Sequence, residues 1–119
     1  MKLHINNRLR LRDLQSEFTT YFPNLKIEFY TLPHVKFSDP NARFRLSPDA
    51  IVAYCRDVDR EGELFISEEE RVCELEQELS LRFGLHAEVF AINKKAYIKS
   101  KNINANYSLA TCNSRDIAA

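Results

Sequence analysis

His4, His86 and Glu88 are the side chains of this chain best suited to hold a metal ion or to move a proton. Two imidazoles and a carboxylate form a plausible ligand set for a transition metal. Each stands in an alternating run, with Leu3 and Ile5 around His4 and with Leu85, Ala87 and Val89 around His86 and Glu88. In a sheet that buries the apolar set, all three face the other way, and they converge if their two strands are neighbours. The plain alternative is three polar residues on an open face. A second constellation is Cys55 with His34, a thiol and a candidate base. Cys55 shares one side of its segment with Ile51 and Val52, where a cysteine is usually a small buried hydrophobe. Cys73, on the flank of a helix, reads the same way. Other chemistries are excluded by residue type. Two isolated glycines, Gly62 and Gly84, cannot build a phosphate-cradling loop. There is no H-E-x-x-H, no C-x-x-C and no acidic calcium loop.

The elements that must position these residues come from a repeat. When Ile5 is aligned with Ile66, Leu11, Leu14, Phe18 and Phe22 fall on Val72, Leu75, Leu79 and Phe83. Steps of three and four residues keep to one face of a helix. One residue then drops out of the second copy, and "LKIEFY" at 25–30 meets "LHAEVF" at 85–90. There the period changes to two, as in a strand with one apolar face. Leu3 and Ile5 alternate before the first helix, and Leu64 and Ile66 before the second. Strand–helix–strand therefore occurs twice. Ser67 with Glu70 reads as a capping box, Asn6 or Asn7 as the first cap, and Gly84 as a left-handed helix stop. Asn93-Lys94 reads as a tight hairpin leading to a fifth strand at about 95–99, and "SPDAIVAYCR" as a short helix capped by Ser47.

The expected fold is α+β. It is a duplicated split βαβ sheet of the ferredoxin-like kind, order 4-1-3-2, with two helices on one face, an extra C-terminal hairpin strand and a short inserted helix. A different α+β order of the same strands is the alternative. One domain covers 1–101: repeat one at 2–30, an insertion at 31–61, and repeat two plus hairpin at 62–99. Residues 102–119 are expected to form a weakly structured tail.

"LQSEFTTYFPNLKIEFYTLPH", "EGELFIS" and "ELEQELSLRFGLHAEVF" together resemble a family of small uncharacterised bacterial proteins. That family carries an F-P-x-L-K-[IL]-E-F segment, an E-L-E-x-x-[FL]-x-x-x-F-G-L segment and a V-F hairpin. The resemblance covers about residues 2–110. The family often ends near D-x-W-T-L, where this chain reads "NANYSLATCN", with Tyr107 in the aromatic place and no matching acid. The resemblance implies a shared fold and no particular chemistry.

Composition bounds the partners. The chain has 119 residues, 17 Lys+Arg and 17 Asp+Glu, so it lacks the basic excess of a phosphate-binding surface. Charge is uneven: residues 1–12 carry Lys2, Arg8, Arg10 and Arg12 without an acid, and 57–78 carry ten acids against Arg60 and Arg71. These are solvated faces, or a basic edge meeting an acidic one within or between molecules. No apolar run is long enough to span a membrane, and the start lacks a signal-like stretch. Three widely spaced cysteines suggest reduced thiols and a cytoplasmic setting. Alternation places Tyr30, Phe65, Phe90 and Tyr97 on the open sheet face, an aromatic density that something normally covers. An RNA-binding sheet needs more aromatics on the third strand and fewer acids than Glu28, Glu63 and Glu88 supply. The expectation is a non-enzymatic binding or protein-interaction domain without cofactor, with a homodimer or protein partner at that face. The alternative is a small enzyme or metal-binding protein centred on His4, His86 and Glu88.

Overall fold

The computed structural model describes residues 1–31, 44–56, 58–93, 98–102 and 104–114. The class is α+β. The order is β1 (Lys2–Ile5), α1 (Leu11–Tyr21), β2 (Leu25–Tyr30), a 3₁₀ turn (Val52–Tyr54), β3 (Gly62–Phe65), α2 (Val72–Phe83), β4 (His86–Asn93), β5 (Ile98–Asn102) and α3 (Leu109–Ser114). Both helical stripes are buried as the spacing requires: Leu11, Leu14, Phe18 and Phe22 in the first, Val72, Leu75, Leu79 and Phe83 in the second. They meet Leu3, Ile5, Leu25, Ile27 and Phe29 from one segment and Leu64, Ile66, Leu85 and Val89 from the other in one core. Gly84 ends α2 with φ 66°, a left-handed conformation that only glycine adopts without strain, and its N–H returns to the Ser80 carbonyl.

The helices begin later than the capping signals suggested. Ser67 and Asn6 serve turns instead: Ser67 Oγ accepts from Glu69 N–H and Asn6 Oδ1 from Arg8 N–H. The helix starts are set by Arg10 and Arg71, whose N–H groups donate to Asp13 Oδ2 (2.9 Å) and Glu74 Oε1 (3.0 Å). In each case an acid in the first turn reaches back to satisfy an orphan amide and faces the positive end of the helix. Ser47 likewise holds a turn, accepting from Asp49 N–H, and is followed by the 3₁₀ turn.

Strand pairing departs from the ferredoxin-like order. That order sets β1 between β3 and β4, and β2 beside β3. Here β1 is antiparallel to β3 in a two-stranded sheet, while β4 lies between β2 and β5 in a three-stranded antiparallel sheet. A crossover helix ordinarily returns the chain into its own sheet. In this chain residues 47–53 take the place beside the start of α1: Leu11 and Arg12 N–H bond the Ala50 and Pro48 carbonyls, and Val52 and Ala53 N–H bond those of Leu9 and Asn7. Each strand then pairs with its counterpart from the other segment. Leu3 faces Leu64 and Glu28 faces Glu88, residues that the sequence alignment superposes. Self-matched pairs in both ladders are what an approximate twofold axis produces.

The same hydrogen bonds recur around α2. Val72 and Cys73 N–H bond the Tyr107 and Ala105 carbonyls, and Leu109 and Ala110 N–H bond those of Glu70 and Glu68. The Tyr30–Arg45 bridge matches the Phe90–Asn102 pair of β4 and β5 in the same way. Residues 44–55 thus make the contacts that β5 and α3 make in the second segment. Within the expected loose tail, Leu109 and Cys112 are buried on α3. Asn113 Oδ1 accepts from Asn24 N–H, and Arg56 Nε donates to the Phe83 carbonyl, so each return segment reaches the end of the other segment's helix.

Glu70 stands where the first segment has Leu9, which packs partly against the core. Its Oε2 is buried and has no hydrogen-bond partner among the described residues. Burial, with Glu78 and Glu74 nearby, pushes the Glu70 carboxyl up to about 6. The folded pKa exceeds the unfolded one, so the native state binds the extra proton between the two values. That contribution is present below about pH 4.5 and is lost as pH rises through about 6. Glu70→Gln should therefore melt higher than the parent at pH 8 and alike at pH 4. Thermal melts across that range check it, and a constant difference at all pH values would contradict it.

Candidate functional site

A cleft of about 290 Å³ opens between the outer flank of α2 and the edge of β4. Cys73, Glu76, Gln77, Ser80 and Leu81 line it from the helix, and His86 and Ala87 from the strand. The inward stripe of α2 is used up in the core, which leaves these flanking positions beside the strand. His86 is the first residue of β4 and lies close to the last turn of α2. Its Nδ1 is 2.9 Å from Ser80 Oγ, and the residue is only 6% exposed. Glu76 Oε2 accepts from Val89 N–H at 2.8 Å. Leu81 is 70% exposed at the rim.

The corresponding edge of β2 is closed. Gln15 Nε2 donates to the Ile27 carbonyl (2.9 Å) and Thr19 Oγ1 to that of Leu25 (3.0 Å). Leu46 N–H donates to the Phe29 carbonyl, and Thr31 N–H to that of Phe44. In the second segment Gln15 is matched by Glu76, Thr19 by Ser80, Ile27 by Ala87 and Lys26 by His86. A carboxylate has no hydrogen to donate, so Glu76 cannot close the Ala87 carbonyl as Gln15 closes that of Ile27. It takes an N–H two residues further on instead. The smaller Ala87 leaves room that Ile27 fills.

The residues singled out from the sequence are not gathered in this way. His4 lies on β1 with Nδ1 3.5 Å from Glu63 Oε1, while His86 and Glu88 lie on β4 in the other sheet. The trio does not assemble, because the strands expected to be neighbours belong to different ladders. Among the described residues no three His, Cys, Asp or Glu side chains are placed to hold a metal ion. Cys55 Sγ donates to the Ile51 carbonyl, and burial pushes its thiol up, away from the thiolate a nucleophile needs. His34 and Tyr97 lie outside the described residues. Of the aromatics, Phe65 is 69% exposed on β3 with Lys2 Nζ 5.6 Å from its ring centre. Tyr30 and Phe90 are half-buried in the other sheet, on either side of the Glu28–Glu88 pair. Like charges opposite one another weaken a ladder, and Glu28 is offset by Lys26 Nζ at 3.1 Å and Arg45 Nη1 at 3.2 Å. The basic N-terminal segment meets acids within the molecule, through Lys2–Glu63 and Arg12–Asp49.

The sequence does not single out Glu76, Gln77 and Ser80, and it reads Cys73 only as a small hydrophobe on the helix flank. The signal lay in the differences between the aligned copies on the helix flank, where Gln15 is replaced by Glu76 and Thr19 by Ser80. Among the described residues no helix is long and apolar enough to cross a membrane. Comparison with family models, curated proteins and solved structures finds no match to this chain.

Proposed function

We propose that this chain is a non-enzymatic binding domain whose working surface is the cleft between α2 and the edge of β4. One observation carries the reading: the β2 edge is closed by Gln15 and Thr19, whereas the matching β4 edge borders a cleft. The cleft lies near the small end of ligand sites, which run from about 300 to 1,000 Å³. Among the described lining residues Glu76 is the one carboxylate, which favours a cationic group on the ligand. The Ser80–His86 contact has the length of a nucleophile–base pair. The cleft carboxylate, Glu76, bonds Val89 N–H, and we assign these groups to shaping the wall. The recurrent bonds and self-matched ladders support reading the chain as a duplicated unit. Three cysteines outside any disulfide support a cytoplasmic setting.

n-Butylguanidinium is a suitable probe, followed by amide chemical shifts at matched ionic strength. Gln77, Ser80, His86 and Ala87 should shift on titration, while Ser16, Thr19, Lys26 and Ile27 stay still and serve as an internal control. Glu76→Gln should weaken the response about tenfold, since hydrogen bonds to charged groups are worth about 1.5–3 kcal/mol. Equal shifts at both sets of amides, or none at either, would remove the cleft as the site.

Contact with a second copy or another protein through the sheet aromatics is a second reading. Phe65 is the observation that favours it, being 69% exposed. Sedimentation across a concentration series reports on self-association.

A further inference from the structure

Resting on that reading, we infer that the ligand is an extended peptide with a basic side chain, which adds to the edge of β4 as a short strand at Ala87. The phase of the β2–β4 ladder sets the geometry. Ile92 N–H bonds the Asn24 carbonyl, so Lys26–Phe90, Glu28–Glu88 and Tyr30–His86 are the hydrogen-bonded pairs. The N–H and C=O of Ala87, which faces Phe29 in the alternate position, therefore point away from β2. Among the described residues the pairing of β5 with β4 runs from Phe90 to Asn93 and stops short of Ala87. Ala87 lines the cleft, so its main-chain groups border the space a ligand would enter.

A strand edge of this kind offers one donor and one acceptor in the spacing of a peptide backbone. Its length is limited on one side by Glu76, which already holds Val89 N–H. On the other side the chain turns back into α2, where Leu85 N–H bonds the Leu79 carbonyl. A few residues of peptide fit between these limits, in keeping with a cleft of 290 Å³. Charge complementarity selects the side chain: Glu76 on the wall is met by Lys or Arg on the peptide. The equivalent β2 edge admits no such strand, because Gln15, Thr19 and residues 44–46 already bond it.

The test uses the whole chain with two probes. One is acetyl-Ala-Val-Arg-Val-Ala-amide, and the other is the same peptide N-methylated at its three central residues. The parent peptide should shift the cleft amides and slow hydrogen exchange at the Ala87 amide. The methylated peptide, stripped of its central main-chain donors, should bind at least about tenfold more weakly. Equal binding of both peptides without slowing at Ala87 overturns strand addition. Binding of neither peptide also overturns it. In both cases the n-butylguanidinium response decides the cleft reading separately, and silence there removes both.

Discussion

Leu79→Ala should lower stability by about 2–5 kcal/mol, while Leu81→Ala should stay within about 0.5 kcal/mol of the parent. The two residues stand two positions apart on α2. Leu79 is fully buried against the sheets, and its truncation leaves a cavity that close-packed neighbours cannot fill. Leu81 is 70% exposed at the cleft rim, so its truncation removes little buried surface. Denaturant melts with unchanged slope check the pair. Equal losses would place the helix face wrongly. Leu81→Ala should still weaken probe binding, which separates the rim from the core.

The second large effect concerns the centre of the β1–β3 ladder. Leu3 and Leu64 are both fully buried and directly opposite one another. Each should cost about 2–5 kcal/mol on truncation to Ala. Because they touch the same space, the double variant should depart from the sum of the singles by about 0.5–3 kcal/mol. Strictly additive losses would mean that the two side chains do not meet. That would contradict the antiparallel pairing of β1 with β3.

Much of the local structure was legible in the sequence, because it follows from period. Leu11, Leu14 and Phe18 keep to one face of a helix, and Leu25, Ile27 and Phe29 to one face of a strand, whatever the neighbours are. Alternation says which face is buried and nothing about which strand lies alongside. That is why His4 and His86 were expected together and are found in separate sheets. Helix starts were misread because Asn6 and Ser67 have two uses, capping a helix or closing a turn, and here they close turns. The acids that set the starts, Asp13 and Glu74, occupy matching places in the two aligned segments. The return segments "LSPDAIVAYC" and "INANYSLATC" share too few residues for their recurrence to stand out, yet their backbone bonds match. The cleft was illegible for a different reason. It arises where the aligned segments differ, at Gln15 against Glu76 and Ile27 against Ala87, and a search for likeness passes over such positions.

Strand order decides which side chains can share a site, and proton–proton contacts across the ladders measure it directly. In non-hydrogen-bonded antiparallel pairs the Cα atoms lie about 4.5 Å apart, and facing Hα protons give strong nuclear Overhauser effects. The account predicts such Hα–Hα effects for Lys2 with Phe65, His4 with Glu63, Ile27 with Val89 and Phe29 with Ala87. Cross-strand effects between residues 2–5 and 86–89, or between residues 25–30 and 62–65, would contradict it.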